Sequence, residues 1–180
     1  VDNNVWIVGN DSEVIVVDPA HDAEAVATAV GDRRVLAILL THGHDDHIRA
    51  ARETAEKLGA KLHLNPADRM LWDEVYDQAP DAEIADGDVF EVAGIELTAL
   101  HTPGHSPGST CFYAPALGAV LSGDTLFQGG PGATGRSYSD YPTIVKSIRE
   151  RLFTLPHDTV VHTGHGATTT IGAEAEALKD

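Results

Sequence analysis

Short apolar runs separated by polar turns fill the first part of the chain and predict alternating strands and helices. Residues 5–8 and 14–17 are β-branched runs on either side of a Gly-Asn-Asp turn, which predicts a hairpin. Asp22 precedes an alanine-rich stretch that ends at Gly31, which is typical of a capped helix. Residues 35–40 are almost wholly apolar and predict a strand that is buried on both faces.

The middle of the chain predicts one long helix, one strand and one short helix. The long helix is expected to begin after His47 and to end at Leu58, because Gly59 stands where a helix commonly terminates. Residues 61–64 predict a strand, and residues 66–72 predict a short helix. Residues 78–85 show no regular pattern.

Paired strands dominate the second half of the chain. Residues 89–92 and 95–100 flank an Ala-Gly turn and predict a hairpin, and residues 110–113 and 119–121 predict another. The glycine-rich region 123–141 predicts a loop.

Two helices and a strand complete the pattern. Pro142 stands where the first turn of a helix is expected, and the apolar side chains that follow it share one helical face. Residues 160–162 predict a strand, and residues 173–178 predict a terminal helix. The whole pattern predicts an α/β protein whose histidines fall at the ends of strands.

Length and charge exclude several classes of protein. The 180 residues fit one domain, and they carry 12 Lys and Arg against 28 Asp and Glu, a formal net charge of −16. This acidity argues against a nucleic acid or a membrane surface as partner, because both attract basic side chains. No run of about 18 apolar residues is present, so no membrane-spanning helix is expected.

The contents of cysteine and histidine point to metal chemistry rather than disulfides. Cys111 is the one cysteine, so no internal disulfide is possible, and we expect a buried thiol in a cytoplasmic protein. The ten histidines nearly equal the 12 Lys and Arg in number, and they are clustered rather than evenly spread. Clustered histidines are typical of metal ligands.

Four potential ligands fall within six residues directly after the predicted buried strand. They are His42, His44, Asp46 and His47. Imidazole nitrogens and carboxylate oxygens are the ligands of catalytic Zn²⁺, whereas thiolates dominate structural sites. Because a turn after a strand can direct these side chains into one cavity, the spacing predicts a catalytic metal site.

Three further candidates follow apolar runs in glycine-containing loops. They are His105, Asp124 and His165. Taken singly, each has the features of an ordinary loop residue, but together with the first four they form a larger donor set. A neighbouring glycine lets the backbone turn sharply and approach a metal.

This order of residues resembles the metallo-β-lactamase-fold superfamily, and specifically its glyoxalase II-like hydrolases. The HxHxDH motif at residues 42–47 is followed by His105, Asp124 and His165, and the resemblance runs from about Val5 to His165. It implies an αββα sandwich, with the metals at one edge. We expect one such domain over residues 1–180.

The resemblance implies two divalent metal ions, zinc first, with iron or manganese as alternatives. The first ion would be held by His42, His44 and His105. The second would be held by Asp46, His47 and His165. Asp124 would bridge the two.

The resemblance also implies the reaction. A hydroxide that bridges the two metals would attack the acyl carbon of a thioester or an ester. Asp46 is the candidate catalytic residue, because it would orient this nucleophile or accept its proton. The expected partner is therefore a small acyl or thioester substrate.

The sequence departs from some members of the superfamily. The enzymes that act on glutathione thioesters carry a C-terminal helical domain, and only 15 residues follow His165 here, so we expect that domain to be missing. Related lactonases carry a Tyr three residues after the bridging Asp, where this chain has Phe127. A lactonase remains an alternative, although without that hydroxyl.

Substrate contacts are expected from the glycine-rich loop after Asp124. Arg136 would meet a carboxylate, and Tyr138 or Tyr141 would line the pocket. Residues 130–135 also match GxGxxG, but the nucleotide-binding motif needs a helix immediately afterwards, and the sequence that follows is a poor helix former.

Two other functions are compatible with the metal-binding motif. A persulfide dioxygenase with a single iron would use His42, His105 and Asp124, and the motif does not distinguish it from a hydrolase. A non-catalytic scaffold would keep the metal site but turn over no acyl substrate. The sequence leaves the substrate and the oligomeric state undetermined.

Overall fold

Along a central strand of the protein, alternate side chains pack into two different hydrophobic cores. In the strand Glu13–Val17, Ile15 and Val17 pack into one apolar cluster, whereas Val14 and Val16 pack into another. A period of two is the geometry of a β-strand, and burial on both sides requires a layer of structure over each face.

The computed structural model describes residues 2–178, and its first sheet comes from the N-terminal half. In hydrogen-bonded order the strands are β1 (Trp6–Gly9), β2 (Glu13–Val17), β3 (Arg34–Leu39), β4 (Leu62–Leu64) and β5 (Ala82–Glu83). β1 and β2 form the first predicted hairpin, and the other neighbours are parallel. β3 lies at the centre, as its apolar sequence predicts.

The second half of the chain forms the second sheet. The six strands of this sheet are β6 (Val89–Val92), β7 (Ile95–His101), β8 (Thr110–Ala114), β9 (Ala119–Gly123), β12 (Val160–Thr163) and β13 (Thr169–Thr170). Two further strands, β10 (Leu126–Phe127) and β11 (Gly130–Pro131), lie outside it. The order in the sheet is β13-β12-β9-β8-β7-β6, while β10 and β11 pair with each other. Both predicted hairpins are present, and β12 returns to lie parallel to β9.

Helices cover the outer face of each sheet. They are α1 (Ala23–Val30), α2 (Asp45–Ile48), α3 (Ala51–Leu58), α4 (Arg69–Asp73), α5 (Tyr141–Ser147) and α6 (Ile171–Ala177), with 3₁₀ turns at Pro66–Asp68 and Pro115–Leu117 and a π-helical turn at Ile148–Leu152. α1 and α3 pack on the first sheet, and α5 packs on the second, where Cys111 is buried. The αββα arrangement confirms the predicted fold class. Within residues 2–178, no helix has the length and apolarity needed to cross a bilayer.

The helix predicted to begin after His47 and to end at Leu58 is wrong in two respects: helical structure already begins at Asp45, and it is broken at Ala50. The Ala50 amide donates to the carbonyl of Ala20, and the Ala20 amide donates to the carbonyl of His47. The turn after β2 therefore takes up hydrogen-bonding groups that a continuous helix needs. The break separates α2, which carries His47, from α3, which packs on the sheet.

Two regions predicted to be irregular contain short strands. β5 lies inside the stretch that ends at Ala85, and the β10–β11 pair lies inside the predicted loop 123–141. Each strand has two residues, which is too short to leave a periodic signal in the sequence.

Candidate functional site

Polar side chains from both sheets meet just beyond the ends of their strands. Asp18 follows β2, the HxHxDH motif follows β3, and Asp124 and His165 follow β9 and β12. β2 and β3 are parallel, and so are β9 and β12, so the carboxyl end of each pair lies at one edge of its sheet. The sandwich brings these two edges together.

The first cluster consists of His42, His44 and His105, all at most 4% exposed. His44 Nδ1 lies 3.1 Å from His105 Nε2. One ligand atom from each of the three lies within 4.8 Å of the others. Among the described residues, His42 Nε2 has no hydrogen-bond partner.

The second cluster consists of Asp46, His47, Asp124 and His165. His47 Nε2 lies 3.3 Å from His165 Nε2. The Oδ2 atom of Asp46 lies 3.4 Å from His47 Nε2 and 3.3 Å from His165 Nε2. This cluster is more open than the first, since the side chains of Asp46 and His165 are 26% and 23% exposed.

Asp124 stands between the two clusters. Its Oδ2 lies 3.5 Å from His105 Nε2 and 3.2 Å from His165 Nε2. Its Oδ1 lies 3.2 Å from His47 Nε2. A single carboxylate therefore faces imidazoles of both clusters: Oδ2 faces His105 and His165, whereas Oδ1 faces His47 alone.

Glycines permit this close approach. A Cβ on Gly164 would overlap Asp124 Oδ1. Gly123 has φ +53°, and a Cβ there would lie 2.6 Å from Thr41 Oγ1. Both positions therefore exclude a side chain, which agrees with the glycine-rich loops seen in the sequence.

Hydrogen bonds at the far side of several rings fix which nitrogen faces the cavity. The Nδ1–H groups of His105 and His165 donate to the carbonyls of Ala133 and Asp2, at 2.7 Å each. His47 Nδ1 lies 2.9 Å from Asp18 Oδ2. In each ring Nε2 is left to face the cluster, which is the arrangement that supports a metal-ligating histidine.

Burial keeps the first cluster neutral. Burial of the rings lowers the pKa of His42 and of His105, and it lowers the pKa of His44 to about 4. A neutral imidazole has a free lone pair on one nitrogen, which is the form that binds a metal.

Carboxylates give the second cluster the opposite character. Burial disfavours the protonated form of His47, yet the carboxylates of Asp18 and Asp124 raise its pKa well above the ordinary histidine value. A hydrogen bond to Asp124 raises the pKa of His165. Although burial opposes ionisation, the imidazoles of His165 and His47 beside it hold the pKa of Asp124 well below its usual range. This cluster therefore holds charge that the first lacks.

These donors fit divalent metal ions. A tetrahedral site with Zn–N bonds of about 2.0–2.1 Å places its nitrogens roughly 3.3–3.4 Å apart. The 3.1 Å and 3.3 Å separations of facing ring nitrogens are close to that spacing. The unpartnered nitrogen of His42 is likewise explained by a cation, because buried polar atoms rarely lack a partner.

A cavity of about 600 Å³ opens onto the clusters. It is lined by His21, Asp45, Asp46, Arg49, His105, Asp124, Ala133, Arg136 and His165. Of the three predicted substrate contacts, Arg136 belongs to this lining. Tyr138 and Tyr141 are 59% and 55% exposed and are not among its lining residues.

Two buried carboxylates that support the site belong to no motif in the sequence. Asp18 accepts hydrogen bonds from Thr41 and lies against His47. Asp68 accepts a hydrogen bond from the backbone of Gly43, inside the HxHxDH motif. In the sequence both are isolated acids that belong to no metal-binding motif. In the structure Asp18 lies just after β2 and has a left-handed backbone conformation, with φ +55°.

Comparison with known proteins identifies relatives of the chain. The sequence pattern of the Metallo-beta-lactamase superfamily matches residues 1–165. Hydroxyacylglutathione hydrolase GloC of Haemophilus influenzae is 33% identical over 94% of this chain and 87% of its own. Probable metallo-hydrolase YqgX of Bacillus subtilis is 33% identical over 96% of this chain and 89% of its own.

Solved structures agree with this relationship. BLEG-1 B3 metallo-beta-lactamase superposes with a TM-score of 0.89 at 31% identity, over 97% of this chain and 91% of that one. TTHA1623 in a di-iron-bound form superposes with a TM-score of 0.83 at 33% identity, over 96% of this chain and 92% of that one. ETHE1 from Myxococcus xanthus superposes with a TM-score of 0.78 at 25% identity, over 95% of this chain and 76% of that one. With its fold, its His/Asp clusters and these relatives, the chain belongs to the metallo-beta-lactamase superfamily.

Proposed function

We propose that this protein hydrolyses a small thioester, or a related ester, with two divalent metal ions, zinc in the first instance. One observation carries the proposal: Asp124 faces imidazoles of two neighbouring clusters at 3.2–3.5 Å. A carboxylate shared between two donor sets is suited to a binuclear centre, in which metals lie about 3.5–4 Å apart.

Seven side chains would hold the ions. The first ion would take His42, His44 and His105, the second would take Asp46, His47 and His165, and Asp124 would serve both. When bound, such ions supply a nucleophilic hydroxide at neutral pH and polarise a substrate carbonyl. The similarity to GloC supports a thioester as substrate, and the di-iron form of TTHA1623 leaves iron as an alternative metal.

Asp46 is placed to orient the nucleophile or to accept its proton. Asn3 Nδ2 donates to Asp46 Oδ2 at 3.1 Å and to the Asp46 carbonyl at 3.3 Å, which fixes the direction of the carboxylate. Since Asp46 also lines the cavity, its carboxylate is within reach of a bound substrate.

Arg136 would select substrates that carry a negative charge. Within residues 2–178 its guanidinium forms no hydrogen bond or ion pair, whereas Arg49 in the same cavity is paired with Asp45 at 2.7 Å. A free guanidinium in the lining of a polar cavity is suited to bind a carboxylate. We expect Arg136→Ala to raise KM for a carboxylate-bearing thioester about 10- to 100-fold and to leave KM for a neutral thioester unchanged.

The test is hydrolysis of a panel of neutral and anionic thioesters by zinc-reconstituted protein, followed by release of the free thiol. Zinc-dependent turnover that is abolished in Asp46→Ala would support the proposal. Absence of turnover across the panel by protein with a full metal content would contradict it.

A persulfide dioxygenase is the second candidate function. Asp124 Oδ2 lies 3.5 Å from His105 Nε2 and 3.9 Å from His42 Nε2, so these three residues converge as a single-iron site requires. Oxygen uptake with a persulfide by iron-loaded protein, without thioester hydrolysis, would favour this function over the hydrolase.

A further inference from the structure

A buried carboxylate that the proposed chemistry does not use lies behind the first cluster. Asp68 ends the 3₁₀ turn at Pro66–Asp68, just before α4, and is fully buried. The side chain of Asn65 caps this turn by accepting a hydrogen bond from the Ala67 amide. The turn therefore presents Asp68 in a fixed direction, towards the loops that carry the histidines.

Three hydrogen bonds reach the Asp68 carboxylate. The Gly43 amide donates to Oδ2 at 2.9 Å, the Ser106 hydroxyl donates to Oδ2 at 2.7 Å, and the Gly108 amide donates to Oδ1 at 2.6 Å. Gly43 lies between His42 and His44, and Ser106 directly follows His105. All three donors thus belong to the two loops that supply the first cluster.

The loops are shaped to let the carboxylate in. A Cβ on Gly108 would lie 2.8 Å from Asp68 Cγ, and a Cβ on Gly43 would lie 3.1 Å from the Asp68 carbonyl oxygen. Any larger residue at Gly108 would push the loop away from Asp68. The two glycines and the carboxylate therefore form one packed unit.

The second cluster depends on a different carboxylate. Asp18 Oδ2 lies 2.9 Å from His47 Nδ1, and Asp18 accepts hydrogen bonds from the amide and hydroxyl of Thr41. The hydrogen-bond partners of Asp68 include no residue of the loops that carry Asp124 or His165. Gly43 shares its loop with Asp46 and His47, but it lies directly between His42 and His44, and Ser106 and Gly108 belong to the His105 loop. The effect of Asp68 should therefore fall mainly on the first cluster.

We propose that Asp68 is a positioning residue that joins the His42–His44 loop to the His105 loop and so sets the affinity of the first cluster for its metal. It touches neither substrate nor metal, and acts through the loops that it connects. This inference rests on the metal-binding part of the proposed function.

The test measures zinc affinity by competition with a chromophoric chelator. Asp68→Asn is placed in two backgrounds, His165→Ala, which keeps the first cluster whole, and His105→Ala, which keeps the second. Loss of an outer hydrogen-bond partner typically weakens metal affinity about 10- to 100-fold. We expect that loss in the His165→Ala background and a markedly smaller loss in the His105→Ala background.

A matched control separates positioning from general destabilisation. Asp81 accepts hydrogen bonds from the Leu62 amide and from Arg52, away from both clusters. Asp81→Asn should lower the melting temperature without altering zinc affinity in either background. If Asp68→Asn weakens zinc binding equally in both backgrounds, or in neither, the inference is overturned.

Ser106→Ala tests the same idea if Asp68→Asn does not fold. It removes one of the three hydrogen bonds and should produce a smaller loss of affinity, again mainly in the His165→Ala background. Equal behaviour in the two backgrounds would overturn the inference here as well. If the unsubstituted protein itself binds no zinc, the proposed function fails instead, so the two failures are distinguishable.

Discussion

The two clusters contain similar donors but differ in their surroundings. The first holds three buried imidazoles whose pKa values are lowered, to about 4 for His44. The second is more exposed and includes Asp46 and Asp124, and the pKa values of His47 and His165 are raised. Burial dominates the pKa shifts of the histidines in the first cluster, whereas nearby carboxylates outweigh burial in the second. The same residue type therefore has two different proton affinities.

The supports of the clusters differ in the same way. Asp68 joins the first cluster to the 3₁₀ turn before α4. The second relies on Asp18 and on the N-terminal segment, where Asn3 donates to Asp46 and the Asp2 carbonyl accepts from His165. The first cluster should therefore retain its metal under conditions that empty the second.

The largest expected effect comes from the residue that the clusters share. Asp124→Ala should release both metals and lower the proposed thioesterase activity by at least about 10²–10³-fold, because it removes the ligand that the two ions are proposed to share. Elemental analysis and a thiol-release assay measure the two losses.

An exposed carboxylate provides the control for that substitution. Asp73 forms a surface ion pair with Arg69, in which both side chains are about half exposed. Such pairs contribute little, so Asp73→Ala should keep both metals and full activity. Retention of two metals by Asp124→Ala would contradict the shared-ligand assignment.

Single-cluster variants separate the two sites. His105→Ala and His165→Ala should each retain about one metal per chain, and each should lose most of the hydrolytic activity, because the proposed reaction needs both ions. Elemental analysis of the two variants, purified in parallel, is the measurement. If one of them keeps full activity with one metal, a mononuclear mechanism replaces this one.

The sequence predicts the proposed ligands of both clusters, but it does not predict the carboxylate that supports the first cluster. The HxHxDH spacing and the glycine-flanked His105, Asp124 and His165 carry a local signal, because ligands in sharp turns need those residue types. Asp68 has no such signal, since its donors, Gly43 and Ser106, are 25 and 38 residues away in the chain.

The fold shows the same division. Hairpins such as β1–β2 follow from local alternation, and all three predicted hairpins are confirmed. The return of β12 beside β9 joins segments far apart in sequence, so no local pattern predicts it. The break at Ala50 arises from hydrogen bonds to Ala20, which form only once the chain has folded.

A smaller effect is expected from pH. A histidine with a raised pKa stays protonated to a higher pH, so protons compete with the metal at His47 and His165 sooner as the pH falls. At His44, with a pKa of about 4, competition begins only near that pH. Dialysis from pH 7 to pH 5 should therefore release about one metal per chain, and release of both metals together would contradict the comparison.

The smallest effect concerns the orientation of Asp46. Asn3→Ala removes the amide that directs this carboxylate, and metal affinity at the second cluster should fall about ten-fold, at the lower end for outer-shell partners. Asn10→Ala, in the β1–β2 turn, is the control and should leave metal affinity unchanged. Chelator competition in the His105→Ala background measures the zinc affinity of both variants. Equal affinities would show that Asn3 does not position Asp46 for metal binding.

The proposed reaction requires two metals that act together on one thioester. Zinc is titrated into metal-free protein while thioester hydrolysis is followed. We expect activity to stay low through the first equivalent and to reach its maximum at two equivalents per chain. Maximal activity at one equivalent would contradict it, and so would a zinc-saturated protein that is inactive on thioesters while its iron-loaded form consumes oxygen with a persulfide.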